Sequence, residues 1–259
     1  MRSFRYRAGL VALLAAVLVP GCFAVANIDR FDFEGGVAAT TRDYSWQVTG
    51  LSIPHMGSLF EMHVVDTASR RVAAAVVYDG IPDETTVFVA GTLTDALAPG
   101  HYEARFWADL GSDRTFAAGT DHAWIVPVPD DGAFAFVHAR PFDADVGPTD
   151  DPGQGNVVVR LADVGTFAGS PLIVRVRVAS DPASAEIGYY RLDAIPATAG
   201  SQDLTLSDIA ENDSSYFVHA FVDMNSDGQE TAGEPVFDPA GQAAMPDAVL
   251  NLDLSAPTP

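Results

Sequence analysis

In Leu172-Ile173-Val174-Arg175-Val176-Arg177-Val178, residues 172, 174, 176 and 178 are all aliphatic, and residues 175 and 177 between them carry charge. A period of two is that of a strand with one face buried, and the β-branched side chains suit a pleated surface. Leu250, Leu252 and Leu254 alternate with Asn251 and Asp253 in the same way. Further strand-like runs lie at 186–192 and 203–206, and in the first half at 44–49, 59–65, 71–78, 86–89, 101–107, 122–128 and 134–138. Turn signals such as Ala98-Pro99-Gly100 and Pro129-Asp130-Asp131-Gly132 separate them. No window sustains a helical stripe, so the expected fold class is all-β, built as antiparallel β-sandwich.

An internal repeat sets the organisation. Asp79-Gly80-Ile81-Pro82 matches Asp193-Ala194-Ile195-Pro196 at a shift of 193 − 79 = 114 residues. The same shift places Tyr102 on Tyr216, Phe106-Trp107 on Ala220-Phe221, Asp109 on Asp223, and Ser112-Asp113 on Ser226-Asp227. Matches that hold one spacing through strand ends and loops mark a duplicated unit. Two tandem domains are therefore expected, over residues 41–146 and 156–255, with the Pro/Gly-rich segment 147–155 as linker.

Arg2, Arg5 and Arg7 precede an apolar run from Ala8 to Val19, closed by Pro20-Gly21-Cys22. A basic start, a short apolar core and a small residue at the cut read as a signal peptide over residues 1–21. Cys22 is the sole cysteine, so the exported part holds no disulfide. Val19-Pro20-Gly21-Cys22 resembles the bacterial lipobox, whose cysteine receives a diacylglyceryl thioether. The resemblance implies lipidation at Cys22, a membrane anchor and a tether over residues 22–40. Phe23, in place of an aspartate after the cysteine, implies sorting to the outer membrane of a Gram-negative bacterium.

Removing residues 1–21 leaves 14 − 3 = 11 arginines and no lysine against 35 acidic residues, a net charge of −24. A surface this acidic repels phosphate backbones, which excludes nucleic acid as a partner, and it attracts divalent cations.

Asp223, Asn225 and Asp227 stand at positions 1, 3 and 5 of a loop with Gly228 at 6 and Glu234 at 12. Alternate oxygen side chains with a turn glycine are the ligand order of an EF-hand-type calcium loop, in which Gln229 lends its backbone carbonyl. The flanking run 216–222 reads as a strand and not as an EF-hand helix. A strand of the form Tyr-x-x-x-x-Phe-x-Asp running into such a loop resembles the immunoglobulin-like and transthyretin-like modules of bacterial surface proteins. That resemblance implies a scaffold or binding module. The equivalent loop Asp109-Leu110-Gly111-Ser112-Asp113-Arg114, closing at Thr120, lacks the asparagine, the turn glycine and the glutamate. It is expected not to bind calcium, with Arg114 placing a positive charge where the ion would sit.

The chain lacks a Gly-x-Ser-x-Gly elbow and has no second thiol, so no catalytic set emerges. The expected function is a non-enzymatic surface lipoprotein, structural, adhesive or ligand-binding, with an envelope protein or a glycan as partner and one calcium-stabilised loop. An alternative is a periplasmic copper-handling protein using His55, His122 and Met56, since imidazole and thioether suit copper. Another is a carbohydrate-binding accessory lipoprotein with Trp46, Trp107 and Trp124 on its sugar face, although such residues more often pack a core.

Overall fold

Alternation gives way to nearly continuous apolar sequence in Val72-Ala-Ala-Ala-Val-Val-Tyr78 and in Glu186-Ile-Gly-Tyr-Tyr-Arg-Leu192. Strands of that kind are covered on both faces, and these two lie at the centre of the molecule. The structure is a computed structural model that describes residues 40–51, 54–82, 88–138, 154–198, 202–238, 244–255 and 257–258. The expected signal peptide, Cys22 and the expected linker up to residue 153 lie outside the described residues.

The first repeat supplies β1 (Arg42–Thr49), β2 (Phe60–Asp66), β3 (Val72–Tyr78), β4 (Phe88–Leu97), β5 (Tyr102–Ala108), β6 (His122–Pro127) and β7 (Ala133–Val137). The second supplies β8 (Gln154–Asp163), β9 (Leu172–Arg177), β10 (Glu186–Leu192), β11 (Asp203–Glu211), β12 (Phe217–Val222), β13 (Val236–Phe237) and β14 (Val249–Asp253). The 114-residue shift carries β3 onto β10 end to end, since 72 + 114 = 186 and 78 + 114 = 192. Among the described residues there is no helix.

The strands form a three-stranded sheet β4-β1-β7, an eight-stranded sheet β13-β12-β9-β10-β3-β2-β5-β6, and a second three-stranded sheet β11-β8-β14. β3 and β10 are equivalent strands of the two repeats, and they pair side by side in parallel, from Gly188 opposite Ala75 to Arg191 opposite Tyr78. The larger sheet therefore runs through both repeats.

Alternate residues of the joining strands face opposite cores. Ala74, Val76 and Tyr78 enter one core with Tyr44, Trp46, Val48 and Phe134 from the first three-stranded sheet. Ala75 and Val77 enter another with Val157, Val159 and Leu161 from the second. Tyr189 and Tyr190 divide in the same way. Three layers result, with each small sheet covering an opposite face of the shared one.

Three details differ from the sequence expectation. Gln154 and Gly155, expected in the linker, open the ten-residue strand β8. Gln154 is buried; its amide accepts the Val72 N–H (2.8 Å) and donates to the Val72 carbonyl (2.9 Å), so one side chain serves as a strand partner to β3. Antiparallel pairing predominates but is not universal, because β7 returns beside β1 in parallel and β14 beside β8 likewise. β4 and β11 run well past their predicted ends, because Asp95 and Asp208 adopt positive φ (51° and 56°) and let each strand turn locally and continue.

Candidate functional site

β12 ends against Asp223, which is fully buried, so its carboxylate has to be satisfied inside the protein. Oδ1 accepts the N–H of Asp227 (3.1 Å) and Oδ2 that of Gly228 (2.9 Å). Asn225 Oδ1 also accepts the Asp227 N–H (3.1 Å), and Asp227 Oδ1 accepts the N–H of Gln229 (2.8 Å). Asp227 Oδ2 takes the side-chain amide of Asn225 (2.8 Å). Glu234 closes the ring from the far side, with Oε1 accepting the Met224 N–H and Oε2 the Thr231 N–H, both at 2.8 Å. Gly228 at φ 76° and Ser226 at φ 60° make the turn that brings these groups together.

The five residues singled out from sequence thus belong to one hydrogen-bonded loop. Each carboxylate oxygen that accepts an N–H keeps a further lone pair, and the set is all oxygen. Three carboxylates against one nearby guanidinium, Arg191 Nη1 at 3.8 Å from Asp223 Oδ2, leave the loop negative. Hard donors with net negative charge fit calcium.

Glu230, within the same loop, anchors it to the sheet. It meets His219 Nε2 at 2.8 Å, and His219 Nδ1 meets Asp238 at 2.7 Å, which pins the loop to β12 and to the residue after β13. Sequence spacing gave no signal for this bridge.

The first-repeat loop has the same backbone. Ser112 and Arg114 take φ of 57° and 63°, matching Ser226 and Gly228. Asp109 Oδ2 accepts the Arg114 N–H (2.8 Å), and Asp113 Oδ1 the Thr115 N–H (2.9 Å), each the counterpart of a bond in the second loop. Two expectations are corrected here. The missing glutamate has a stand-in one residue later: Asp121 accepts from Leu110 (2.9 Å) and from Ala117 (2.7 Å), the counterparts of Met224 and Thr231. The Arg114 guanidinium does not lie in its own loop but turns to Asp79 and to the Tyr190 hydroxyl (2.8 Å). What this loop lacks is the oxygen at position 3, where Gly111 replaces asparagine.

The structure also brings His55 and His122 together, with Nε2 of one 2.8 Å from Nδ1 of the other. His138, which sequence reasoning did not connect to them, packs its ring 4.8 Å from that of His55. Met56 is half-buried in the same turn as His55. Burial, and next the neighbouring His138, hold His122 below the ordinary histidine range, against an opposing pull from Asp121. Trp46, Trp107 and Trp124 are all in the core, at 2%, 2% and 0% exposure, so none offers a face to a sugar.

An open groove of about 650 Å³ runs between the small sheet of the first repeat and the calcium-type loop of the second. Ser45, Gln47 and Thr92 line one side, and Arg175, Asp227 and Gln229 the other.

Compared with protein-family models, curated proteins and solved structures, the chain matches none. The fold by itself defines an all-β protein of stacked sheets, and the chemistry rests on its own residues.

Proposed function

We propose that this chain is a non-enzymatic, exported lipoprotein of the bacterial envelope, a β-module that presents a ligand-binding face and is stiffened by calcium at Asp223, Asn225, Asp227, the Gln229 carbonyl and Glu234. The observation that carries the reading is the ring of backbone N–H groups that orients the oxygens of Asp223, Asn225, Asp227 and Glu234 around one loop. Asp227 and Gln229 also form part of the groove wall, so an ion there fixes the shape of a surface large enough for a peptide or glycan segment.

Exported calcium modules bind with dissociation constants of roughly 10⁻⁴ to 10⁻³ M. At 10 mM calcium that corresponds to about 1.4–2.7 kcal/mol of added stability, or a rise in melting temperature of about 3–10 °C for a body of this size. Asp227→Ala removes the rise, whereas Asp113→Ala in the first loop leaves it intact. Equal calcium-induced shifts in parent and Asp227→Ala would overturn the site.

The anchor is tested separately. In a Gram-negative host, Cys22→Ser moves the protein out of the membrane fraction or leaves it as an uncleaved precursor. Processed Cys22→Ser protein that still sediments with membranes would sink the lipoprotein reading.

A further inference from the structure

The two repeats close one end of their sandwiches with the same backbone and different side chains. In the first, Gly57 N–H donates to Ile81, Ser58 N–H to His55, and Ile81 N–H to Ser58. In the second, Gly169 donates to Ile195, Ser170 to Phe167, and Ile195 to Ser170. His55 is therefore the counterpart of Phe167. Phe167 packs on Phe237 with ring centroids 5.7 Å apart, and His55 packs on Trp124 at 5.9 Å. Trp124 and Phe237 are also counterparts, because Trp124 pairs with Phe106 as Phe237 does with Ala220, 114 residues further on. The fold thus fills this corner with plain aromatic packing in one repeat, so packing does not call for imidazole in the other.

In the first repeat the corner holds three imidazoles. Ring centroids of His55 stand 5.0 Å from His122 and 4.8 Å from His138, and Trp124 forms the floor, 5.4 Å from His138 and 6.2 Å from His122. The rings come from separate places: the turn before β2, the first residue of β6, and the residue after β7, whose N–H donates to the Thr49 carbonyl at the end of β1. His55 is 1% exposed while His122 and His138 are partly open to solvent, which leaves a path for an ion. Bringing three distant histidines to one corner is how a protein collects nitrogen ligands.

We propose that His55, His122 and His138 form a binding site for a late first-row transition-metal ion, copper(II) or zinc(II). Imidazole suits both, and copper(II) binds most tightly in the divalent series. His138 takes the third place, which spacing alone had assigned to Met56. Among the described residues no three such groups already stand at metal-ligand spacing. In the arrangement observed, a 2.8 Å hydrogen bond joins His55 Nε2 and His122 Nδ1. Two nitrogens on one tetrahedral zinc stand about 3.3 Å apart, from a metal–nitrogen distance of about 2.05 Å. Seating the ion opens that contact by about half an ångström, and the proton between the rings moves to the far nitrogen of its own imidazole.

The experiment strips the detergent-solubilised full chain with chelator, then titrates copper(II) or zinc(II) and follows tryptophan fluorescence and metal content after gel filtration. One equivalent of copper is expected, with quenching of Trp124. His55→Phe reproduces the side chain of the second repeat and preserves the packing. It, His122→Gln and His138→Gln should each weaken binding at least tenfold, and Asp227→Ala should leave it unchanged. Electron paramagnetic resonance of the parent with copper(II) should show nitrogen ligation, a reading that does not depend on any variant folding. Absence of stoichiometric binding, a copper spectrum without nitrogen couplings, or parental affinity in His55→Phe would overturn the site. The calcium loop stands or falls separately, on the Asp227→Ala shift.

Discussion

Glu186→Ala lowers the free energy of unfolding by about 3 kcal/mol, at the low end of the range for breaking a buried ion pair. Glu186 opens β10 and is 3% exposed. Its carboxylate accepts from Arg175 (2.8 Å) and lies 3.5 Å from Arg177 Nε, and it also accepts the N–H of Thr94 in β4 (3.2 Å). Removing it leaves two largely buried guanidiniums facing each other and a backbone N–H without its acceptor. The cost stays at the low end because the Arg175 and Arg177 side chains keep 18% and 14% of their surface and can draw on water. Glu186→Gln keeps an acceptor oxygen and should lose about half as much. Because Glu186 ties β10 to the first repeat's β4, the loss should appear in one cooperative transition. Chemical denaturation should show a lower midpoint with an unchanged slope. Separate transitions for the two repeats, or a change below about 1 kcal/mol, would contradict this account of the joint.

Much of this architecture was legible in the chain. The alternation at Leu172–Arg177 gave β9, and the 114-residue shift gave the strand correspondence of the repeats. The lateral joint was not, because parallel pairing of two equivalent edges leaves no turn between them to read. A partial signal existed in Val72–Tyr78, whose continuous apolar run marks a strand covered on both faces. β8 was missed as a whole: Gly153-Gln154-Gly155 reads as linker, and the alternation of Val157, Val159 and Leu161 just beyond it went unused.

The sites divide along the same line. The oxygen side chains of the Asp223 loop are local in sequence, so spacing found them together. Asp121 escaped because it was sought one position earlier, and the exact residue matters less than whether a carboxylate can reach the same two N–H groups. His138 escaped for a topological reason. Only the parallel return of β7 beside β1 carries it to the corner where His55 and His122 meet.

Trp46→Ala should cost about 3–5 kcal/mol, the range for deleting a large aromatic from a core. Trp46 is 2% exposed, stacks on Tyr44 at 5.7 Å, meets Tyr189 of the second repeat edge-on at 5.2 Å, and donates to the Tyr78 hydroxyl (3.3 Å). Tyr78 passes the chain of bonds on to the Ala90 carbonyl at 2.7 Å. The indole therefore touches the first small sheet, β3 and β10 together. Room for it exists only because its cross-strand partner is Gly91: a Cβ there would lie 2.4 Å from Trp46 Cζ2. Gly91→Ala alone should lose about 1–3 kcal/mol by overpacking. The double variant carries the sharper expectation. With the indole gone, the added methyl meets no ring and occupies part of the space left behind. Trp46→Ala/Gly91→Ala should then be more stable than the sum of the two losses implies, by about 1–3 kcal/mol of coupling. Strict additivity in that cycle would mean that Gly91 is glycine for some reason other than the ring across from it.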